Sequence, residues 1–265
     1  MGDVTIGLLH PGEMGAAVGK CLAGAGHRVL WVPEGRSAAT RERAAEAGLD
    51  GCGWAEMAAR SAVIVSVCPP HAALDVARAV AGSGFRGLYL DANAVSPATA
   101  GEVAAIVAAG GADFADGGII GPPPVAPGST RLYLSGPRAG EIQALFGGTD
   151  VDARVVPPPG SASAVKVAYA SWTKGSAALL LAARALARAE GVESVLLEEW
   201  GISQPELERR SDGAAASATA KGWRWVAEME EIAATMAAAG LPDGFHQAAA
   251  EIYRGFQQGP RRSAR

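Results

Sequence analysis

Short apolar runs alternate with helical patterns along the first part of this chain, and the alternation ends at Pro157-Pro158-Pro159-Gly160. Strands spaced by helix-length segments are the mark of βαβ units, which build a parallel sheet covered by helices. Apolar runs at 4–9, 28–32, 62–68, 87–90, 113–115, 131–134 and 151–156 predict the strands. Helices are expected at 15–25, at 37–47 behind a Ser37 cap, and after Pro97. Past residue 160 only helical patterns remain, at 161–190, 194–200, 205–210, 223–239 and 245–256. The expected architecture is an α/β parallel-sheet domain over 1–159, then an all-α domain over 160–265.

A chain of 265 residues is long enough for two such cores. Its net charge of −4 gives no field to attract nucleic acid or an anionic membrane, so neither is an expected partner. The basic run at 259–265 reads as a solvated terminus. Cys21, Cys52 and Cys68 are too few and too scattered for a disulfide framework or a metal site. Asp3, just ahead of the first strand, speaks against a signal peptide. The apolar stretch at 177–189 is too short to span a bilayer and is interrupted by Arg184 and Arg188. A cytoplasmic protein is expected.

Directly after the first strand stands Leu9-His10-Pro11-Gly12-Glu13-Met14-Gly15. In the dinucleotide fingerprint GxGxxG the first Gly makes a tight turn. The second lets the backbone approach a pyrophosphate, and the third packs helix on strand. Gly12 and Gly15 fill the second and third places, while His10 takes the first. The first domain is therefore read as a Rossmann-type NAD(P)-binding domain, with residues 9–14 around the pyrophosphate at a helix N-terminus. At the end of the second strand, Glu34 suits the ribose hydroxyl of NAD, whereas Arg36 and Ser37 suit the 2′-phosphate of NADP. The expected cofactor is NADP, with NAD as the alternative.

The run from Ile6 to Gly15 resembles that of the β-hydroxyacid dehydrogenases, the superfamily of 6-phosphogluconate and 3-hydroxyisobutyrate dehydrogenases and of imine reductases. Further segments come in matching order. Val65-Ser66-Val67-Cys68-Pro69 resembles the turn that passes the cofactor riboses, which implies cofactor contacts for Val67, Cys68 and Pro69. Asp91-Ala92-Asn93-Ala94-Val95-Ser96-Pro97 is similar to the family's D-x-S-T-x-x-P, which places Asn93 or Ala94 beside the nicotinamide, where the family has Ser or Thr. Asp116-Gly117-Gly118-Ile119-Ile120-Gly121 resembles the substrate-side D-A-x-V-x-G, implying substrate contacts for Asp116, Gly118, Ile119, Ile120 and Gly121. Gly160 through Lys166 matches G-x-x-x-x-x-K, whose Lys is the family's acid/base. The likeness covers about the first 190 residues. Beyond them, Trp223 through Glu230 looks like a poorly characterised branch. The chain also departs from the pattern: Ala170 replaces an Asn one turn after the Lys, and Pro122 through Pro124 stiffen the substrate loop. These changes argue against 6-phosphogluconate as substrate.

Hydride transfer requires a proton donor or acceptor beside the reacting oxygen or nitrogen. Lys166 is the candidate, and only Lys20, Lys174 and Lys221 accompany it among 23 basic residues. Where Arg serves every ordinary positive role, a lysine that can titrate stands out. Tyr169 and Thr173 come next on the same helical face as helpers, and Lys174 points elsewhere. Asn93, the chain's only asparagine, is read as catalytic or as an Asx-turn before Pro97. His10, His71 and His246 are read as loop, surface and packed residues, and Trp223 and Trp225 as pocket or core. The expected function is oxidation or reduction of a C–OH/C=O group in a small-molecule substrate. Imine reduction and a non-catalytic dinucleotide-binding module are the alternatives. The resemblance further implies a homodimer through the helical domain.

Overall fold

A computed structural model describes residues 4–257. The basic run at 259–265 and Asp3 lie outside the described residues. Two compact units divide between Lys166 and Val167.

The first unit is an eight-stranded sheet with helices on both faces. In chain order it contains β1 (Thr5–Leu9), α1 (Glu13–Gly24), β2 (Arg28–Trp31), α2 (Ala38–Glu46), β3 (Asp50–Gly51) and α3 (Trp54–Arg60). Next come β4 (Val63–Ser66), a 3₁₀ turn at Pro70–Ala72, α4 (Ala73–Gly82), β5 (Leu88–Asp91) and α5 (Pro97–Ala109). β6 (Asp113–Ile120), β7 (Thr130–Ser135), α6 (Ala139–Leu145) and β8 (Val151–Val155) complete it. The spatial order is β3-β2-β1-β4-β5-β6-β7-β8. Strands covered on both sides read as unbroken apolar runs, and β4 obeys that rule: Val63 and Val65 enter one core, Ile64 the other. In β5, Leu88 and Leu90 likewise face away from Tyr89. Each fully buried Leu or Ile contributes roughly 1.5–3 kcal/mol of transfer free energy.

The sheet is not wholly parallel as expected: β7 runs antiparallel to β6. The reason lies in the connection between them. Residues 121–129 are proline-rich and contain no helix, and a parallel return needs a crossover of a dozen residues or more. The two-residue β3 and helices α3, α4 and α6 escape the sequence reading. β6 is also longer than the expected 113–115, because Gly117 and Gly118 hide it. Both glycines are demanded by close neighbours: a Cβ on Gly117 would stand 2.9 Å from the Asp91 carbonyl oxygen, and one on Gly118 2.6 Å from that of Ala162.

The rest of the chain is helical: α7 (Ser161–Ala189), α8 (Glu193–Ser203), α9 (Leu207–Ala238) and α10 (Gly244–Gln257). The opening of α7 belongs to the first unit and its remainder to the second. The patterns at 205–210 and 223–239 prove to be parts of one 32-residue helix, α9. Its early buried face consists of Ser211, Ala214, Ala218 and Gly222, too small to register as an apolar stripe, before Val226, Met229 and Ile232 take over. Within the second unit, Arg184 on α7 reaches Glu193 on α8 and Ser211 on α9, tying the three helices together. No helix among the described residues is long and apolar enough to cross a membrane.

Candidate functional site

A row of residues crosses the sheet in register. Leu9 pairs with Ser66, Ser66 with Asp91, Asp91 with Asp116, and Asp116 with Ser135. Leu9, Ser66 and Asp91 end their strands, so the row marks the carboxyl edge of β1, β4 and β5. The strand order reverses between β1 and β4, and open α/β sheets bind ligands in the crevice beyond such a reversal.

The fingerprint turn leaves β1 at this edge. His10 adopts φ 64°, a left-handed conformation that the replaced Gly would take without strain. The Gly12 N–H donates to the His10 carbonyl at 2.7 Å. A Cβ on Gly15 would meet that same carbonyl oxygen at 2.4 Å, so only glycine fits there. Around Gly12 the space is open, and no side chain caps α1. This is the geometry a bound phosphate requires, with backbone dipoles aimed at an unfilled position. Burial, helped by the Arg36 charge, holds the His10 imidazole down at about 4. Nδ1 of His10 is buried without a hydrogen-bond partner among the described residues.

At the end of β2 the two cofactor signals separate. Glu34 is exposed, whereas Arg36 is half-buried and its charge is felt at both His10 and Cys68. Ser37 caps α2 by accepting the Thr40 N–H at 3.3 Å. Arg41 Nε donates to the Arg36 carbonyl at 3.2 Å, bracing the turn.

Beyond β4 and β5, Val67, Cys68 and Asn93 lie side by side with their chain neighbours. The Cys68 N–H donates to Asn93 Oδ1 at 2.5 Å, and Asn93 Nδ2 donates to Ser66 Oγ at 3.2 Å. The Asn93 N–H in turn donates to Asp91 Oδ1 at 2.9 Å. Burial, assisted by Asp116, pushes the Asp91 carboxyl up to about 6 against the hydrogen bonds from Asn93. Burial also pushes the Cys68 thiol up to about 11, which leaves it a small hydrophobe. Pro69 is exposed.

At β6 the site meets α7. The Asp116 carboxylate accepts the Ser163 N–H at 3.0 Å, the Ser163 hydroxyl, and the Ser135 hydroxyl at 2.9 Å. Ser135 Oγ accepts from Gly160 N at 3.0 Å and Ala162 N at 3.3 Å. The helix start is thus satisfied by side chains of β6 and β7, not by a cap of its own. Asp116 is committed to this work, and Ile119 belongs to the core beside β1. Gly118 lies directly beneath the helix, where a Cβ would stand 3.1 Å from Lys166 Cβ. Ile120 is buried, and Gly121 is exposed at φ 121°. Sequence reasoning missed Ser66, Ser135 and Ser163 as members of this assembly; each is a lone serine whose partner lies far along the chain.

Within the second unit, Tyr169 is exposed and the Thr173 hydroxyl donates to the Tyr169 carbonyl at 3.1 Å, its own helix. Lys174 is paired with Glu228 of α9 and lies over the Trp225 ring, 5.7 Å from its centroid. His246 packs against α7, its Nε2 3.0 Å from Ser171 Oγ. Trp225 joins this core beside Tyr253, while Trp223 is exposed.

A dinucleotide-type sheet followed by a helical unit is the class of protein that this fold and this turn define. In fold, the chain is similar to the 3-hydroxyacid dehydrogenases. Residues 187–256 match a domain of unknown function, DUF1932. One similar solved structure is a conserved protein of unknown function, described as structurally similar to 3-hydroxyacid dehydrogenases. Identity is 26%, coverage 96% of this chain and 97% of that one, and the TM-score 0.70. The 3-hydroxyisobutyrate dehydrogenase of Mycobacterium tuberculosis, solved with L-serine, is 19% identical over 96% of this chain and 94% of its own, with a TM-score of 0.69. The reductive aminase of Aspergillus terreus, solved with NADPH and ethyl levulinate, is 21% identical over 97% and 95%, with a TM-score of 0.60. Comparison with proteins of curated function gives no match.

Proposed function

We propose that this chain is an NAD(P)-dependent oxidoreductase acting on a C–OH/C=O substrate, with Lys166 as general acid/base. The carrying observation is the seat of Lys166: α7 is pinned at its start by Asp116 and Ser135 and rests on Gly118 of β6, in the same sheet whose edge holds the phosphate turn. Hydride exchange is the chemistry a bound nicotinamide dinucleotide supplies. The chain's own residues do the rest. Backbone amides at the start of α1 hold the pyrophosphate, while Asn93 and the Cys68 turn wall the nicotinamide side. The Lys166 ammonium gives a proton to the carbonyl oxygen in reduction, and its neutral amine takes the proton of the alcohol in oxidation. Gly118, Ile120 and Gly121 stand on the substrate side, with Asp116 and Ile119 acting from behind as support. Tyr169 and Thr173 come next on α7 as proposed helpers.

NADP is the preferred dinucleotide, because the half-buried Arg36 turns its charge towards the fingerprint turn while Glu34 stays in solvent. Imine reduction is the second reading, supported by the likeness to the reductive aminase. A lysine at position 166 favours the oxygen substrate, since imine reductases usually carry another residue there. A homodimer through the helical unit, in the cytoplasm, belongs to the same proposal. Trp172, Leu179 and Leu186, seven residues apart on α7, are exposed and form an apolar line that a second copy would cover.

The test is a fluorescence titration with NADPH and NADH, followed by a carbonyl and imine screen with Lys166→Ala as control. Binding of neither dinucleotide would defeat the proposal.

A further inference from the structure

Asn93 is 2% exposed, in the turn directly after β5, and its side chain does the work of a strand. The ladder between β4 and β5 closes with the Ala92 N–H donating to the Ser66 carbonyl at 2.9 Å. One step further on, Asn93 Oδ1 takes the place of a backbone carbonyl and accepts the Cys68 N–H at 2.5 Å. The Ser66 hydroxyl is held by the same amide group, 3.2 Å from Nδ2 and 3.5 Å from Oδ1. Asp91 fixes the far end: its Oδ1 accepts the Asn93 N–H, while its Oδ2 is buried with no partner among the described residues. A carboxyl that is 1% exposed and half unsatisfied is a costly way to anchor a turn.

We propose that Asp91 and Asn93 form a latch that fastens the Cys68 turn to the turn after β5, so that the nicotinamide-side walls of the site are set before the cofactor arrives. Both are positioning residues; the reading of Asn93 as a group that itself handles the substrate gives way to one in which it shapes the wall. The inference rests on the oxidoreductase reading and adds a division of labour to it. The adenosine end is bound chiefly by the α1 turn and Arg36, whereas the nicotinamide end depends on the latch. Without it the ligand would have to order the loop itself, and fixing even one residue's backbone is worth roughly a factor of ten in affinity.

The experiment compares wild type, Asn93→Ala, Asp91→Ala and Asp91→Asn in two readouts. The first is backbone-amide exchange at Val67 and Cys68 without ligand. Pro69 and Pro70 have no amide, so the signal of this turn is isolated. The second is affinity for NADPH and for adenosine 2′,5′-bisphosphate, which lacks the nicotinamide half. In Asn93→Ala and Asp91→Ala the Cys68 amide should exchange at least roughly tenfold faster. NADPH should bind roughly tenfold more weakly, and the bisphosphate should bind as in wild type. Asp91→Asn, whose side-chain carbonyl still accepts the Asn93 N–H, should restore both. Unchanged exchange at Cys68 would overturn the latch, and so would an equal loss for both ligands. Should Asn93→Ala not fold, Asn93→Ser, whose hydroxyl is too short to span the gap, takes its place with the same expectations. If wild type bound neither NADPH nor NADH, the oxidoreductase reading would fall together with the cofactor half of this proposal. The exchange readout would still report on the latch itself.

Discussion

Gly118 and Lys166 occupy each other's space: a Cβ on the glycine would stand 3.1 Å from Lys166 Cβ, and 2.6 Å from the carbonyl oxygen of Ala162 one turn earlier. Strand and helix backbones touch where the candidate base is seated. Gly118→Ala should therefore force the helix start away from β6, at about 1–3 kcal/mol of overpacking. Turnover should fall by roughly a hundredfold, the usual effect of a displacement of about 1 Å at a reacting group. Dinucleotide affinity should stay near wild type. Urea unfolding, steady-state rates and a titration of the same variant check the three parts.

Lys166→Ala should reduce turnover by roughly 10²–10⁴-fold, the range for loss of a general acid or base. NADPH affinity should change little. Single-turnover kinetics beside a binding titration separate the two, and equal activity of wild type and variant would remove Lys166 from the chemistry.

The left-handed His10 separates backbone from side chain. His10→Gly should fold with near-normal stability, because relief of strain offsets the lost ring contacts. His10→Val should be less stable by about 1–2 kcal/mol, since a branched residue resists φ 64°. Thermal melts of the two variants give the comparison. A valine variant as stable as the glycine one would mean that the turn relaxes.

Asp91 makes a pH prediction of definite sign. Its folded value of about 6 lies above the ordinary 3.8, so the folded state holds the proton more tightly. The neutral form's advantage is complete below about pH 4 and is lost as pH rises through about 6. At 1.36 kcal/mol per pH unit the difference amounts to about 3 kcal/mol. The unfolding free energy of wild type minus that of Asp91→Asn should fall by up to about that amount between about pH 4 and about pH 7, then level off. Urea melts across the range test it, and a flat difference would place the titration elsewhere.

Leu179→Glu puts a charge in the middle of the exposed apolar line on α7. If that line is the dimer contact, light scattering should find a dimer for wild type and a monomer for the variant at micromolar protein. A monomer in both cases would remove the dimer proposal.

Most strands and the long helix α7 were legible because their signals are local. The run Val63-Ile64-Val65 can hardly be anything but a buried strand, and Ser37 announces its helix. The features that escaped depend on distant partners or on small residues. Gly117 and Gly118 extend β6 only because Leu90 and Ala162 crowd them. Helix α9 runs on through Ala214, Ala218 and Gly222, which carry no hydrophobic contrast. The reversal of β7 stems from a loop whose prolines are plain in the sequence but whose lack of a helix is not. At the site, motif spacing led to Gly12, Asn93 and Lys166. It could not show that Asn93 reaches back 25 residues to Cys68, or that Asp116 reaches forward 47 to Ser163.

The borrowed cap of α7 also bears on how such chains can be recombined. The sequence break at Pro157-Pro158-Pro159-Gly160 looks like the natural place to exchange one helical half for another. A cut there would import a foreign first turn, which loses the Ser163 hydroxyl that Asp116 accepts and sets new side chains around Gly118. The workable seam lies deeper, inside the helix and after Lys166. A chimera joined there keeps the sheet together with the turn it caps, and exchanges only the remaining helices.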